Sequence, residues 1–155
     1  MSIEFHHQPG LVVYLTIGDP DLAASKRIAL AAIDAGADVL ELGVPFSDPL
    51  ADGPVIQRAS ERAVRNGTSL GDVLALARSL REERPHAGLV IFSYLNPILR
   101  MGLEKFATAA EKAGVDAVLV TDLIVEESEE YRAVLRAHHL QPIFLAAPTL
   151  SLIHI

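Results

Sequence analysis

Cysteine is absent from the 155-residue sequence, so it can supply neither a disulfide framework nor a thiolate nucleophile or ligand. Positive charge is scarce: 13 Lys and Arg stand against 20 Asp and Glu, a formal net charge of −7. No basic cluster or aromatic-interleaved patch offsets that balance, which argues against a nucleic-acid or anionic-membrane partner. Long apolar runs are missing too, since none approaches the roughly 20 residues of a membrane span. The amino terminus, Met1-Ser2-Ile3-Glu4-Phe5-His6-His7, has no basic start followed by an apolar segment, so no secretory signal is read there. These absences leave a soluble, cytoplasmic protein as the expectation. Apolar mass is what the chain does have: 50% of its residues are hydrophobic, enough for a sizeable core in a chain of one domain's length.

That mass is distributed in short continuous runs. Leu11–Ile17, Val39–Leu42, Gly88–Tyr94, Ala117–Val120 and Pro142–Ala146 read as five buried strands. Between them lie stretches of helical spacing: Asp21 to Ala35 with Gly36 as stop, Val55 to Asn66 stopping at Gly67, a helix capped by Thr68 or Ser69 and ended by Pro85, Leu103 to Ala113, and an acidic-fronted helix from Val125 to Ala137. Leu95-Asn96-Pro97 reads as a turn. Alternating strands and helices imply parallel strands joined by right-handed crossovers. An internal echo narrows the choice. Ala35-Gly36-Ala37-Asp38-Val39-Leu40-Glu41 and Ala113-Gly114-Val115-Asp116-Ala117-Val118-Leu119 share one pattern 78 residues apart, close to two units of a (β/α)8 barrel with an enlarged loop.

The echo isolates Glu41, because Leu119 occupies the equivalent place in the second copy. A carboxylate in a buried run loses hydration unless it is paired or hydrogen-bonded. It is either matched by a basic residue elsewhere or placed for chemistry, and a position near the C-terminal end of a parallel strand favours chemistry. A stiffened loop follows, Gly43-Val44-Pro45-Phe46-Ser47-Asp48-Pro49-Leu50-Ala51-Asp52-Gly53-Pro54, which brings Asp52. Asp52-Gly53 can be a simple turn pair, and Asp48-Pro49 and Asp19-Pro20 can be turn and cap residues. Tyr94, at the end of the third strand, is either core packing or a binding side chain. The pairs His6-His7 and His138-His139 cannot both aim at one metal from a regular element and read as solvated; no metal site is expected. Glu126-Glu127-Ser128-Glu129-Glu130 suits a helix start, where the macrodipole favours negative charge.

The segment Glu41 to Pro54 resembles the signature of the tryptophan synthase alpha chain family. Thr16-Ile17-Gly18-Asp19-Pro20, Tyr94-Leu95-Asn96-Pro97, Val118-Leu119-Val120-Thr121-Asp122 and Pro142-Ile143-Phe144 extend the resemblance over roughly residues 9 to 149. It implies a TIM barrel and a lyase that cleaves indole-3-glycerol phosphate to indole and glyceraldehyde 3-phosphate in tryptophan biosynthesis. On that resemblance Glu41 is the acid/base that protonates the indole carbon, and Asp52 takes up charge at, or the proton from, the indole nitrogen. Tyr94, Leu119, Thr121 and Leu145 match positions lining the indole pocket. Pro45, Asp48 and Pro49 match the surface that meets the beta chain in an α2β2 heterotetramer. The resemblance implies no cofactor in this chain and pyridoxal phosphate in the beta chain.

Two departures from the family pattern set further expectations. The helix that usually precedes the first strand is not read here, and only about the first five strands of the barrel are. Residues 1–149 are expected to be the N-terminal part of a single TIM-barrel domain, and residues 150–155 a non-native apolar tail. The phosphate-binding loops of such barrels lie near the last strands, so this chain by itself is expected to be inactive. A stand-alone indole-3-glycerol phosphate lyase and an inactive docking module for the beta chain remain as alternatives. A sugar-phosphate isomerase is more remote, since no His or Lys stands at a strand end.

Overall fold

Apolar β-branched runs separated by helices of 7 to 14 residues have one economical arrangement, a parallel sheet with helices packed on it. The computed structural model describes Ile3, Phe5 and residues 9–146 and shows that arrangement. The expected tail at 150–155 and the His6-His7 pair lie outside the described residues. Five strands, β1 Val12–Thr16, β2 Val39–Gly43, β3 Gly88–Ser93, β4 Ala117–Val120 and β5 Gln141–Ile143, are hydrogen-bonded in chain order. Every pairing is parallel. The helices are α1 Leu22–Asp34, α2 Pro54–Arg65, α3 Leu70–Glu83, α4 Leu95–Met101, α5 Leu103–Lys112 and α6 Glu129–Ala137. Among the described residues, no helix is long and apolar enough to cross a membrane.

Side chains alternate between sheet faces, and the two faces are used differently. Leu40, Leu42, Leu89, Ile91, Val118 and Val120 share the main core with Val73, Ala77 and Leu80 of α3, Phe106 and Ala110 of α5, and Leu135 of α6. On the other face Val39, Val90, Ala117 and Leu119 form a smaller cluster, joined by Ile3, Phe92 and Ile143. Glu41 projects on this second face, between Val39 and Gly43.

The repeated Gly-x-Asp pattern has a specific job. Gly36 and Gly114 follow α1 and α5 at φ +105° and +73°, the left-handed region in which a helix ends on glycine at little cost. Asp38 and Asp116 then stand immediately before β2 and β4. Each backbone N–H donates to the preceding strand, at Leu11 O and Leu89 O, both 2.9 Å. Each carboxylate accepts the N–H of that same residue, Leu11 at 2.8 Å and Leu89 at 2.9 Å. Asp116 also takes the Arg81 guanidinium at 2.6 Å, and Arg81 Nε donates to Gly114 O at 2.9 Å.

Several expectations are corrected. Leu95-Asn96-Pro97 is the first turn of α4 rather than a turn between elements; Pro97 fits because N–H groups of the first turn have no intrahelical acceptor. The helix read from Val125 to Ala137 is a 3₁₀ turn, Val125–Glu127, followed by α6. Buried Ser128 separates them, its backbone and hydroxyl both donating to Val125 O. β1 is not fully buried: Val12 is 46% exposed, and among the described residues β1 pairs with β2 alone. β5 is shorter than read and carries Pro142, which an edge strand tolerates. His138 is not merely solvated, since Nδ1 lies 2.8 Å from Glu111 Oε2. His139 Nδ1 lies 3.0 Å from Glu111 Oε1. The pair therefore clasps α6 to α5.

Two predictions follow from these contacts. Asp116→Ala strands both a largely buried guanidinium and a buried N–H, and should cost about 3–5 kcal/mol in urea unfolding; a loss below about 1 kcal/mol would show that the carboxylate is dispensable. For the clasp, hydrogen bonding to Glu111 raises His138 above its ordinary 6.5, while the two histidines hold Glu111 below its ordinary 4.5. The His138 contribution is complete below 6.5 and fades as pH rises through the raised value. The Glu111 contribution is complete above 4.5 and fades as pH falls through the lowered one. The Tm difference between wild type and Glu111→Gln should therefore be widest between pH 4.5 and 6.5, and a pH-independent difference would contradict the clasp.

Candidate active site

Register brings the candidates together. Tyr14, Glu41, Val90 and Ala117 form one lateral row on the inner face, and Thr16, Gly43, Phe92, Leu119 and Ile143 form the next towards the strand C-termini. The same alternation carried two residues onward puts Tyr94 and Thr121 above Phe92 and Leu119. Glu41 is half-buried in the lower row. Among the described residues no hydrogen bond or ion pair reaches its carboxyl, and burial alone pushes its acid form above the ordinary 4.5. The reading of Glu41 as half of an ion pair is therefore not met by any described side chain.

The loop between β2 and α2 folds over these rows and is held at several points. Val44 N donates to Phe92 O at 2.8 Å. Ser60 of α2 accepts Phe46 N at 2.8 Å and donates to Phe46 O at 3.0 Å. Gln57 Nε2 donates to Asp52 O at 2.9 Å. The Tyr94 phenol accepts Ala51 N at 2.9 Å and donates to Asp52 Oδ2 at 3.1 Å. Its ring lies 5.3 Å from that of Phe46. Tyr94 is thus buried and anchors the loop, holding Ala51 and Asp52 through its hydroxyl. Burial, with the Asp52 charge adding to it, pushes the Tyr94 phenol above its ordinary 10.0, so it stays a proton donor.

The remaining candidates separate. Leu119 is buried in the inner-face cluster. The Thr121 hydroxyl is close to the Tyr94 phenol, yet its buried oxygen makes no hydrogen bond of good geometry. Leu145 is not brought to this group; it is 60% exposed past the end of β5 and borders Arg132 and Arg136 of α6. Asp48 and Pro49 line a groove of about 530 Å³ with Leu50, Gln57 and Arg58. Pro45 is buried beneath the loop and lines a neighbouring groove of about 610 Å³ with Val64, Pro97 and Met101. Among the described residues, no cluster of three or more His, Asp or Glu side chains is placed to hold a metal.

Sequence reasoning missed Tyr14, Thr16 and Phe92, which surround Glu41 and Gly43. The period-two alternation of the first apolar run would have put Tyr14 and Thr16 on one face, but not opposite Glu41. Asp19, read as a turn or cap residue, is instead an ion-pair partner. Asp21 is the α1 cap, accepting Ala24 N at 2.7 Å. Asp19 takes Arg62 of α2 in a fork at 2.8 and 2.7 Å, which ties the loop after β1 to the helix after the Asp52 loop.

The geometry agrees with comparisons to known proteins. The family model described as tryptophan synthase alpha chain matches residues 2–154. The tryptophan synthase alpha chain of Cupriavidus metallidurans is 54% identical over 148 residues, which cover 96% of this chain and 56% of that protein. The solved alpha subunit from Legionella pneumophila is 41% identical with a TM-score of 0.91, over 94% of this chain and 55% of that one. The solved tryptophan synthase complex from Pyrococcus furiosus is 39% identical with a TM-score of 0.87, over 92% of this chain and 58% of that one. The chain spans about half the length of the curated relatives it matches. Its five strands are the N-terminal part of a TIM barrel. With the family model matched over nearly its whole length, the chain belongs to the tryptophan synthase alpha chain family.

Proposed function

We propose that a full-length protein carrying this segment cleaves indole-3-glycerol phosphate to indole and glyceraldehyde 3-phosphate. The observation that supports this most is Glu41: a carboxyl without a partner among the described residues, kept towards its acid form by burial, under a second carboxylate held by Tyr94. One group that can give a proton and one poised to meet positive charge are what the cleavage needs.

Glu41 gives its proton to the indole carbon at the bond to be broken, and the positive charge so formed is shared with the ring nitrogen, where Asp52 offsets it. The hydroxyl proton on the adjacent side-chain carbon passes to the Glu41 carboxylate. The carbon–carbon bond then breaks, its electrons return to the ring, and the side chain leaves as the aldehyde. Glu41 ends as it began, and no cofactor of the chain's own takes part. Leu119 and Tyr94 form the apolar wall beside which the indole sits, with Thr121 at its rim.

The exposed Asp48, the half-buried Pro49 and the groove they line form the surface proposed to meet a beta chain that carries pyridoxal phosphate, in an α2β2 assembly. The similarity to a solved tryptophan synthase complex supports a partner. The stand-alone lyase differs in one measurable respect, since added beta chain would leave its indole release unchanged.

In the full-length protein, Glu41→Gln should lower kcat for indole release by about 10²–10⁴-fold with the fold intact. Asp52→Asn should also lower kcat, because it removes the charge but keeps the Tyr94 contact. Turnover needs the protonated form of Glu41, so kcat should fall as pH rises through its elevated value. Glu41→Gln activity within about threefold of wild type would leave only the docking role.

A further inference from the structure

Two complementary groups beside each other on the inner face have hydrogen-bonding capacity to spare. Glu41 has a carboxyl with no partner among the described residues. Tyr14, its direct register partner on β1, has a hydroxyl that accepts from Thr16 Oγ1 at 3.4 Å. The phenol proton itself goes to no described acceptor. With Thr16 approaching the phenol oxygen as a donor, that proton is available to the site.

The ring is fixed where it can serve this purpose. It leans over Gly43, where an added Cβ would lie within 2.6 Å of the ring carbon that bears the hydroxyl. Its edge meets Phe92 at 5.1 Å and 75°. Gly43 is therefore required by close approach rather than by its own dihedral angles. Burial first, then the charges of Asp52 and Glu41, push the phenol above its ordinary 10.0, with the Thr16 bond opposing them. Tyr14 accordingly remains a neutral donor.

Among the described residues, few charges face Glu41. Tyr14 faces it from β1 and Asp52 from the loop, while Val90, Phe92, Ala117 and Leu119 on β3 and β4 are apolar. No described Lys, Arg or His acts on it. Asp52 already accepts a hydrogen bond from the Tyr94 phenol, whereas no described donor reaches the Glu41 carboxyl.

We propose that Tyr14 is a positioning residue for Glu41, donating a hydrogen bond to its carboxylate after the proton has gone to the indole carbon. The inference rests on the proposed cleavage for its chemical step. In that step Tyr14 transfers no proton. It holds the carboxylate aimed at the side-chain hydroxyl whose proton restores the acid.

The test is a carboxyl-carbon NMR titration of Glu41 in the full-length protein, for wild type, Tyr14→Phe and Thr16→Val. Loss of the donor to the ionised form should raise the Glu41 midpoint by about one pH unit in Tyr14→Phe, a tenfold change in acidity. Thr16→Val should shift it less, in the same direction, and it reads the same contact should Tyr14→Phe fail to fold. In turnover, Tyr14→Phe should lower kcat about tenfold and carry the high-pH limb upward with the titration, leaving KM nearly unchanged. An unmoved Glu41 midpoint, or an Asp52 midpoint that moves in its place, overturns the proposal. The titration needs no substrate, so a wild type that releases no indole would defeat the cleavage reading while the Tyr14 result still stood.

Discussion

Residue-by-residue pairing of parallel strands is the constraint on which the rest of this structure depends. β1 to β4 pair residue for residue without a bulge, so a side chain's parity along its own strand decides which face it serves. A slip of one residue between β1 and β2 would turn Tyr14 towards the helices and set Leu15 beside Glu41. Two devices pin that register. Asp38 and Asp116 hold the starts of β2 and β4 to the strands before them, each through its backbone and its carboxylate. The large apolar face under α3, α5 and α6 supplies the energy that makes a slip costly, since each fully buried Leu or Ile contributes roughly 1.5–3 kcal/mol.

With register fixed, the inner face can carry groups that a core would reject. Glu41 sits among Val39, Val90 and Ala117 without a described partner, an arrangement that favours the acid over the ion. The cost is borne by the surrounding sheet, whose stability comes from the opposite face. A polar loop can then be hung over the strand ends with few anchors: Ser60 at one end, Gln57 at the other, and Tyr94 between. Tyr94 connects scaffold and site most directly, because one phenol both receives the loop backbone and donates to Asp52.

The inner-face environment gives the two carboxylates different surroundings. Glu41 meets apolar walls and a neutral phenol. Asp52 meets a hydrogen-bond donor at the protein surface. Pairs of titratable groups in contrasting environments are a recurrent basis for dividing acid and charge-stabilising roles. The same division explains why Gly43 lies where the strand ends: a side chain there would displace Tyr14 and change what Glu41 faces.

Much of this was legible in the chain itself. The five apolar runs, the glycine stops after α1 and α5, the Ser69 cap and the echoed Gly-x-Asp pattern are local signals, set by side-chain size, backbone freedom and hydrogen-bonding groups a few residues apart. Glu41 stood out for the same reason, as a carboxylate in a run where its echo has Leu119. Sequence read Leu95–Pro97 wrongly because proline marks turns and helix starts alike. It read β1 as fully buried because an apolar run does not reveal how much of each side chain its neighbours cover. Contacts between distant segments were decided only by the tertiary structure: Tyr14 beside Glu41, Tyr94 under Asp52, Arg81 on Asp116 and Glu111 between two histidines. Each joins residues 27 to 42 positions apart, and no local rule of spacing places one opposite the other. Register and helix packing do that, because a folded sheet turns a period of two along one strand into a row across several.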